Sequence, residues 1–186
     1  MKYILLGCCA LVISSNILFA QTSEEHLAIT KALLAAPPAM QADAVVISLA
    51  ADGSHTVLRE GSNGLMCWDR SDEPGRSFSV QCTSEGNLSR VKQNRFWSMS
   101  GKTAEQIRAM RDTAEADGSR EASVFGSVYY TLSGADAASA NIHLTVAVPF
   151  ATSESMGLPT EGSYTLAGAW IMEAGTTAAH IMLPGR

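Results

Sequence analysis

After its first twenty residues, the chain has no apolar run that could cross a membrane as a helix, which needs about 20 consecutive apolar residues. The apolar run at 44–51 has the length of a single strand and ends at Asp52-Gly53. Intact catalytic signatures are also missing: neither a Gly-x-Ser-x-Gly elbow nor a His-Glu-x-x-His zinc motif occurs. These absences argue against a membrane-spanning mature chain and against the enzyme classes that those motifs define.

Two partial motifs lack the surroundings that their chemistry requires. Gly101-Lys102-Thr103 has the end of a phosphate-binding loop, but Phe96 stands where that loop needs its first glycine. Ser89 and Lys92 have the Ser-x-x-Lys spacing of penicillin-recognising acyl enzymes, whose partner motifs are absent. Neither motif supports an assignment.

Positive charge is also scarce. Lysine and arginine number 13 against 18 aspartates and glutamates, which gives a formal net charge of −5. An acidic surplus favours solubility and argues against a nucleic-acid partner or an anionic membrane surface.

What the chain does have is an N-terminal export signal. A positive start at Lys2 precedes a largely apolar stretch, and Ala20 stands just before a polar segment. This pattern predicts a signal peptide at 1–20 and an exported single domain at 21–186, in the periplasm or outside the cell. Lipidation at Cys8 is the alternative, disfavoured because the apolar segment before it is shorter than the usual seven residues or more.

Only two of the four cysteines, Cys67 and Cys82, would remain after cleavage at Ala20. An even pair in an exported protein predicts a disulfide. The alternative, a two-cysteine metal site, needs two further ligands, and no histidine lies near in the sequence.

Local patterns alternate between helix and strand signals. Predicted helices are 24–36, 88–97 and one that begins at Thr103, where Thr103 and Gln106 form a capping-box pattern, and ends at Gly118. Predicted strands are 44–49, 55–60, 65–68, 77–82, 122–132, 142–148, 164–173 and 179–183. Strands on both sides of a helical middle predict an α+β domain, with two or three helices packed on a mostly antiparallel sheet. We expect a meander of the first three strands and a peripheral first helix.

The segment 88–111 is locally basic, in contrast to the acidic chain as a whole. Its basic residues are Arg90, Lys92, Arg95, Lys102, Arg108 and Arg111. With the adjacent Phe96-Trp97 they form a candidate surface for an anionic ligand, a cell-wall polymer or a partner protein. The interpretation that we favour is a solvated helix face whose charges pair with Asp112, Glu115 and Asp117.

The strongest candidate site residues are His143 and His180, each in a predicted strand. Period-two alternation places His143 on the face opposite Ile142 and Leu144, and places His180 and Met182 on one face. If the two strands are neighbours, the imidazoles could approach each other.

Two chemistries follow from this placement. His143, His180, Met172 and Met182 form a candidate nitrogen and thioether set, which suits Cu(I). A histidine could instead act as a general base. The favoured interpretation gives both histidines structural hydrogen-bonding roles and makes the two methionines core residues.

Several short motifs make the chain similar to a group of exported bacterial proteins of uncharacterised function. The shared pieces are Leu58–Gly64 followed by Cys67, Val128–Gly134, His143–Pro149, Gly157–Thr160, Trp170–Met172, Gly175-Thr176 and Ala179–Pro184. The resemblance covers most of 44–184 and implies no reaction, but it directs attention to His143, His180 and the Asn63-Gly64 turn as candidate ligand contacts. The basic segment 88–97 departs from the tryptophan-rich helix of similar proteins.

The sequence therefore predicts a non-enzymatic binding protein of the cell envelope, whose partner is a small ligand, a metal or an envelope component. Copper binding, a small histidine-dependent hydrolase or isomerase, and an adaptor that docks through an exposed Phe96-Trp97 patch are the alternatives.

Overall fold

The computed structural model of the protein describes residues 23–163 and 168–183, so the predicted signal peptide at 1–20 lies outside the described residues. The helices are α1 Ser23–Ala32, α2 Leu88–Ser98, α3 Ala104–Asp117 and α4 Ser153–Met156. The strands are β1 Val45–Leu49, β2 His55–Arg59, β3 Leu65–Asp69, β4 Phe78–Ser84, β5 Val128–Gly134, β6 Asn141–Ala147, β7 Trp170–Met172 and β8 His180–Leu183. No helix in this part of the chain is long and apolar enough to span a bilayer.

The eight strands of the described residues form one sheet in the order β2-β1-β3-β4-β5-β6-β8-β7. Every neighbouring pair is antiparallel except β1 and β3, which are parallel. The predicted single α+β domain with a mostly antiparallel sheet is confirmed.

The predicted meander of the first three strands is wrong, because β1 lies between β2 and β3. The chain leaves β2 and crosses the start of β1 before it enters β3. Gly61 makes this crossing possible, since a Cβ there would lie 2.4 Å from the carbonyl oxygen of Asp43. The amides of Ser62 and Asn63 both donate to that same carbonyl. A turn pattern predicts a reversal but does not specify which neighbour the next strand joins.

One face of the sheet is covered by α1 and the 3-10 turn Leu33–Ala35 that follows it. Ile29, Ala32 and Ala35 are buried there against Val46 and Val80. The helix that we expected to be peripheral is therefore part of the core, because its alanines allow a close approach to the strands.

The predicted disulfide between Cys67 and Cys82 is present, with an S–S distance of 2.12 Å. The two cysteines are direct cross-strand partners on β3 and β4, and both are fully buried beneath α1. The bond therefore lies within the apolar face of the sheet.

The two middle helices agree closely with their sequence signals. Thr103 and Gln106 form the capping box at the start of α3, and Gly118 ends the helix in the left-handed conformation. The predicted helix 88–97 corresponds to α2. By contrast, the strand predicted from 122 begins only at Val128, because the Val124 amide donates to the side chain of Asn87 instead of to a neighbouring strand.

Candidate ligand-binding cleft

On the second face of the sheet, β1 and β3 pack apolar side chains such as Ile47 and Met66 against Val91 of α2. Over β4, β5, β6 and β8 the same face is mainly polar and forms the floor of a cleft of about 1060 Å³. Successive cross-strand partners Trp68, Gln81, Thr131 and His143 form one row across β3 to β6. All four line the cleft. Two further cross-strand pairs, Tyr129 with Thr145 and Ala147 with His180, also line it. The alternation that buries one set of side chains beneath α1 thus directs the other set into the cleft.

Helices α2 and α3 form the walls, and each turns a charged face toward the sheet. The cleft-lining residues of α2 are Arg90, Val91, Asn94 and Arg95, and those of α3 are Arg108, Arg111, Asp112, Glu115 and Ala116. Their spacing of three and four residues is that of one helix face. Arg90 is only 7% exposed and Arg95 only 3%. The predicted solvated helix face is therefore wrong for these two arginines.

At one end of the cleft, the arginine charges are neutralised by carboxylates. Glu73 receives a two-point ion pair from Arg70 and a further one from Arg76, while Arg95 binds Asp72 and the carbonyl of Leu49. Burial raises the pKa of Glu73, but the bonds and charges of Arg70 and Arg76 outweigh it, so the net shift is downward. This end of the cleft is a structural ion-pair network.

At the other end, three arginine charges lie close together. Burial lowers the pKa of Arg120 to about 10, and the neighbouring charges of Arg90 and Arg111 add to this effect. The pKa of Arg90 is lowered chiefly by burial, with a further contribution from Arg111. Arg108 and Arg111 make no ion pair within the described residues. We call Arg90, Arg111 and Arg120 the arginine cluster.

The surroundings hold Arg90 and Arg120 firmly in position. The guanidinium of Arg120 lies 4.6 Å from the centre of the Trp97 ring and donates to the side-chain oxygens of Gln93 and Asn94. Arg90 donates to the hydroxyl of Thr177 at 3.1 Å. These contacts fix the two charges before any ligand binds.

Thr177 connects this region to α3. Its amide donates to Glu115 at 3.1 Å, and its hydroxyl also donates to that carboxylate. Glu115 is 4.0 Å from the Arg120 guanidinium. Glu115 carries one negative charge, so it offsets the three positive charges of the arginine cluster only in part.

The mouth of the cleft contains two residues in left-handed backbone conformations, Phe150 with φ 64° and Glu173 with φ 53°. The Phe150 amide donates to the Thr176 carbonyl at 2.7 Å, and the Thr176 amide donates to the Glu173 carbonyl at 3.2 Å. These bonds link the two strained residues into one rim. Phe150 is 63% exposed there.

The structure places both predicted histidines on the floor of this cleft. Their strands β6 and β8 are neighbours, but the register pairs His180 with Ala147 and pairs His143 with Thr131. Four residues therefore separate the two histidines along the strands, and their Cα atoms lie roughly 14 Å apart. Burial, followed by the positive charge of His180, lowers the pKa of His143.

His180 has a defined tautomer, because its Nδ1 lies 2.8 Å from the Ala178 carbonyl oxygen, which can only accept. Its Nε2 is therefore the nitrogen left to act as acceptor or ligand. Met172 is the cross-strand partner of His180, and Met182 follows two residues later on the same face. Among the described residues, no three histidine, cysteine, aspartate or glutamate side chains form a potential metal site.

Asn63 lies outside the cleft. Its side chain donates to the Met40 carbonyl and accepts from the Leu65 amide, so it holds the crossing between β2 and β3. Phe96 is exposed, whereas Trp97 is buried against Arg120.

Sequence reasoning missed Tyr129, Thr131, Gln81 and Arg120 as cleft residues. The available signal was alternation: Gln81, Thr131 and His143 each occupy the polar phase of their strands. Only the register reveals that these three residues form one row.

The fold is thus an α+β domain with a polar, arginine-lined cleft on one face of the sheet. No family model, no curated protein and no solved structure matches the chain.

Proposed function

We propose that the protein is an exported, non-enzymatic binding protein that holds a small anionic ligand in the cleft. The volume of about 1060 Å³ is at the upper end of the range typical of small-molecule sites. Export is supported by the signal pattern at 1–20, and the buried disulfide is compatible with an oxidising compartment.

The observation that carries the proposal is the convergence of Arg90, Arg111 and Arg120 in one end of the cleft. Arginine charges that are buried or crowded together raise the free energy of the folded state unless negative charge offsets them. The single negative charge of Glu115 offsets only part of the three positive charges. A carboxylate or phosphate would relieve the repulsion and accept charge-assisted hydrogen bonds.

The test is isothermal titration of the mature chain, residues 21–186, with inorganic phosphate and with citrate. Arg111→Ala removes an exposed guanidinium that has no ion pair within the described residues, so the fold should be preserved. We expect it to weaken binding about tenfold or more, since hydrogen bonds to charged groups contribute about 1.5 to 3 kcal/mol.

Lys102→Ala is the matched control, because it removes the same charge just before α3 and outside the cleft lining. We expect it to change binding less than twofold. Equal losses in both variants would indicate a non-specific charge effect and contradict the proposal, as would the absence of binding to either anion.

One observation favours a second candidate function, the binding of a soft metal ion. His180, whose Nε2 is left to act as a ligand, is the cross-strand partner of Met172, and imidazole with thioether suits Cu(I). In a Cu(I) titration, His180→Ala should abolish binding, whereas His143→Ala, four residues away in the register, should preserve it. Binding that survives His180→Ala would reject this candidate.

The general-base hypothesis for either histidine stays a prediction.

A further inference from the structure

We infer that the ligand is an acidic saccharide, whose carboxylate lies at the arginine cluster and whose sugar ring lies against Phe150. This inference rests on the binding function proposed above and names its ligand class.

The first support is the position of Phe150. A large aromatic side chain that is 63% exposed at the mouth of a charged cleft leaves apolar surface in water. The C–H groups on one face of a sugar ring can cover such a surface, because the face of an aromatic ring carries partial negative charge. The ligand would thereby bury apolar area that the protein itself leaves exposed.

The second support is the backbone at this position. A left-handed conformation is unfavourable for any residue with a side chain, and glycine adopts it with little strain. Phe150 nevertheless has φ 64°, and its amide is fixed by the Thr176 carbonyl. The strain is consistent with a requirement for the aromatic ring at this point of the rim.

The third support is the rest of the lining, which offers hydrogen-bonding groups of both kinds. Tyr129 and Ser123 share a hydroxyl contact of 2.9 Å, and burial raises the pKa of Tyr129, which keeps the phenol protonated. Thr145 adds a hydroxyl on the floor, and Glu173 adds a carboxylate at the mouth. Sugar hydroxyls both donate and accept, so this mixture suits a polyhydroxylated ring better than an apolar ligand.

The experiment compares D-glucuronate, D-glucose, inorganic phosphate and AMP as ligands of the mature chain. The informative variant is Phe150→Gly, which deletes the ring and removes the backbone strain, so that lost binding does not reflect an unstable fold. Phe125→Ala is the matched control, because Phe125 is 69% exposed but does not line the cleft.

We expect glucuronate to bind more tightly than either phosphate or glucose. Phe150→Gly should weaken glucuronate binding about threefold to tenfold, the size of effect that aromatic contacts give, and should leave phosphate binding unchanged. Phe125→Ala should affect neither ligand.

Three results would overturn the inference. In the first, glucuronate and phosphate bind equally tightly and Phe150→Gly has no effect, so the saccharide inference fails. The proposed anion-binding function would still stand if Arg111→Ala weakened phosphate binding. AMP could bind more tightly than glucuronate, which would assign the cleft to a nucleotide. If none of the four probes binds, the inference and the proposed function both fail.

Discussion

The face of the sheet beneath α1 and the cleft on the opposite face show how the same strands, β4 and β5, can border a closed core on one side and an open cleft on the other. Over β1 and β3 the second face is closed as well, by Val91 of α2. Beneath α1 and the 3-10 turn that follows it, the small side chains of Ala32 and Ala35 allow a close approach to Val46 and Val80, which are fully buried. On the other face, α2 and α3 present long charged side chains such as Arg90 and Arg111. Small residues let a helix close a face, whereas long charged residues leave space that water or a ligand can fill.

The largest expected effect concerns how much a side chain beneath α1 and a side chain in the cleft each contribute to the free energy of unfolding. Leu65→Ala removes a buried side chain from the closed face and should lower the free energy of unfolding by about 2 to 5 kcal/mol. Thr131→Ala, on the cleft face, loses one hydrogen bond from Gln81 and should cost about 1 kcal/mol or less. Urea unfolding measures both. Equal costs for the two substitutions would refute the distinction between a closed and an open face.

The second prediction concerns the disulfide, which belongs to the closed face. Replacing both Cys67 and Cys82 with alanine should lower the free energy of unfolding by about 3 kcal/mol, since the bond restricts the unfolded chain. Anion affinity under native conditions should stay unchanged, because the bond lies beneath the strands and not in the cleft. Wild-type stability in this variant would show that the disulfide does not stabilise the fold. A folded variant that has lost anion binding would show that the bond also supports the cleft.

The smallest expected effect concerns pH and the cleft face. Because burial and the charge of His180 lower the pKa of His143 in the folded protein, the unfolded chain binds more protons as the pH falls below about 6.5. The contribution of His143 to stability is therefore fully present above that pH and is lost as the pH falls through the lower folded pKa.

His143→Gln should flatten the dependence of the unfolding free energy on pH between about 7 and 5. His55→Gln removes an exposed histidine on β2 and serves as the control. If the pH profile of His143→Gln matches that of the parent, the burial of this imidazole does not contribute to stability.

The sequence predicted features that depend on neighbouring residues better than features that depend on sheet register. The capping box at Thr103, the stop at Gly118 and the disulfide were all recognisable, because each has a local chemical requirement. The parallel pairing of β1 and β3 was not predicted, since it depends on the close passage of Gly61 over Asp43.

The residues of the candidate site were likewise predictable where local pattern decides their position and unpredictable where sheet register or distant contacts decide it. Alternation assigned each of His143 and His180 to the face opposite its apolar neighbours, but only the sheet order and register show that their strands are neighbours and that four residues separate the two histidines. The arginines of α2 have the composition of a solvated helix face. Their burial depends on Asp72 and Thr177, which are distant in the sequence.

The most direct test of the cleft is a ¹H–¹⁵N NMR titration of residues 21–186 with citrate. Binding in the cleft predicts amide shift changes that concentrate around Arg111, Arg120 and Thr177 and that spare Ile29 and Ala32 of α1. Shifts that are absent at saturating citrate, or that are centred on α1, would contradict the assignment of the cleft as the anion-binding site.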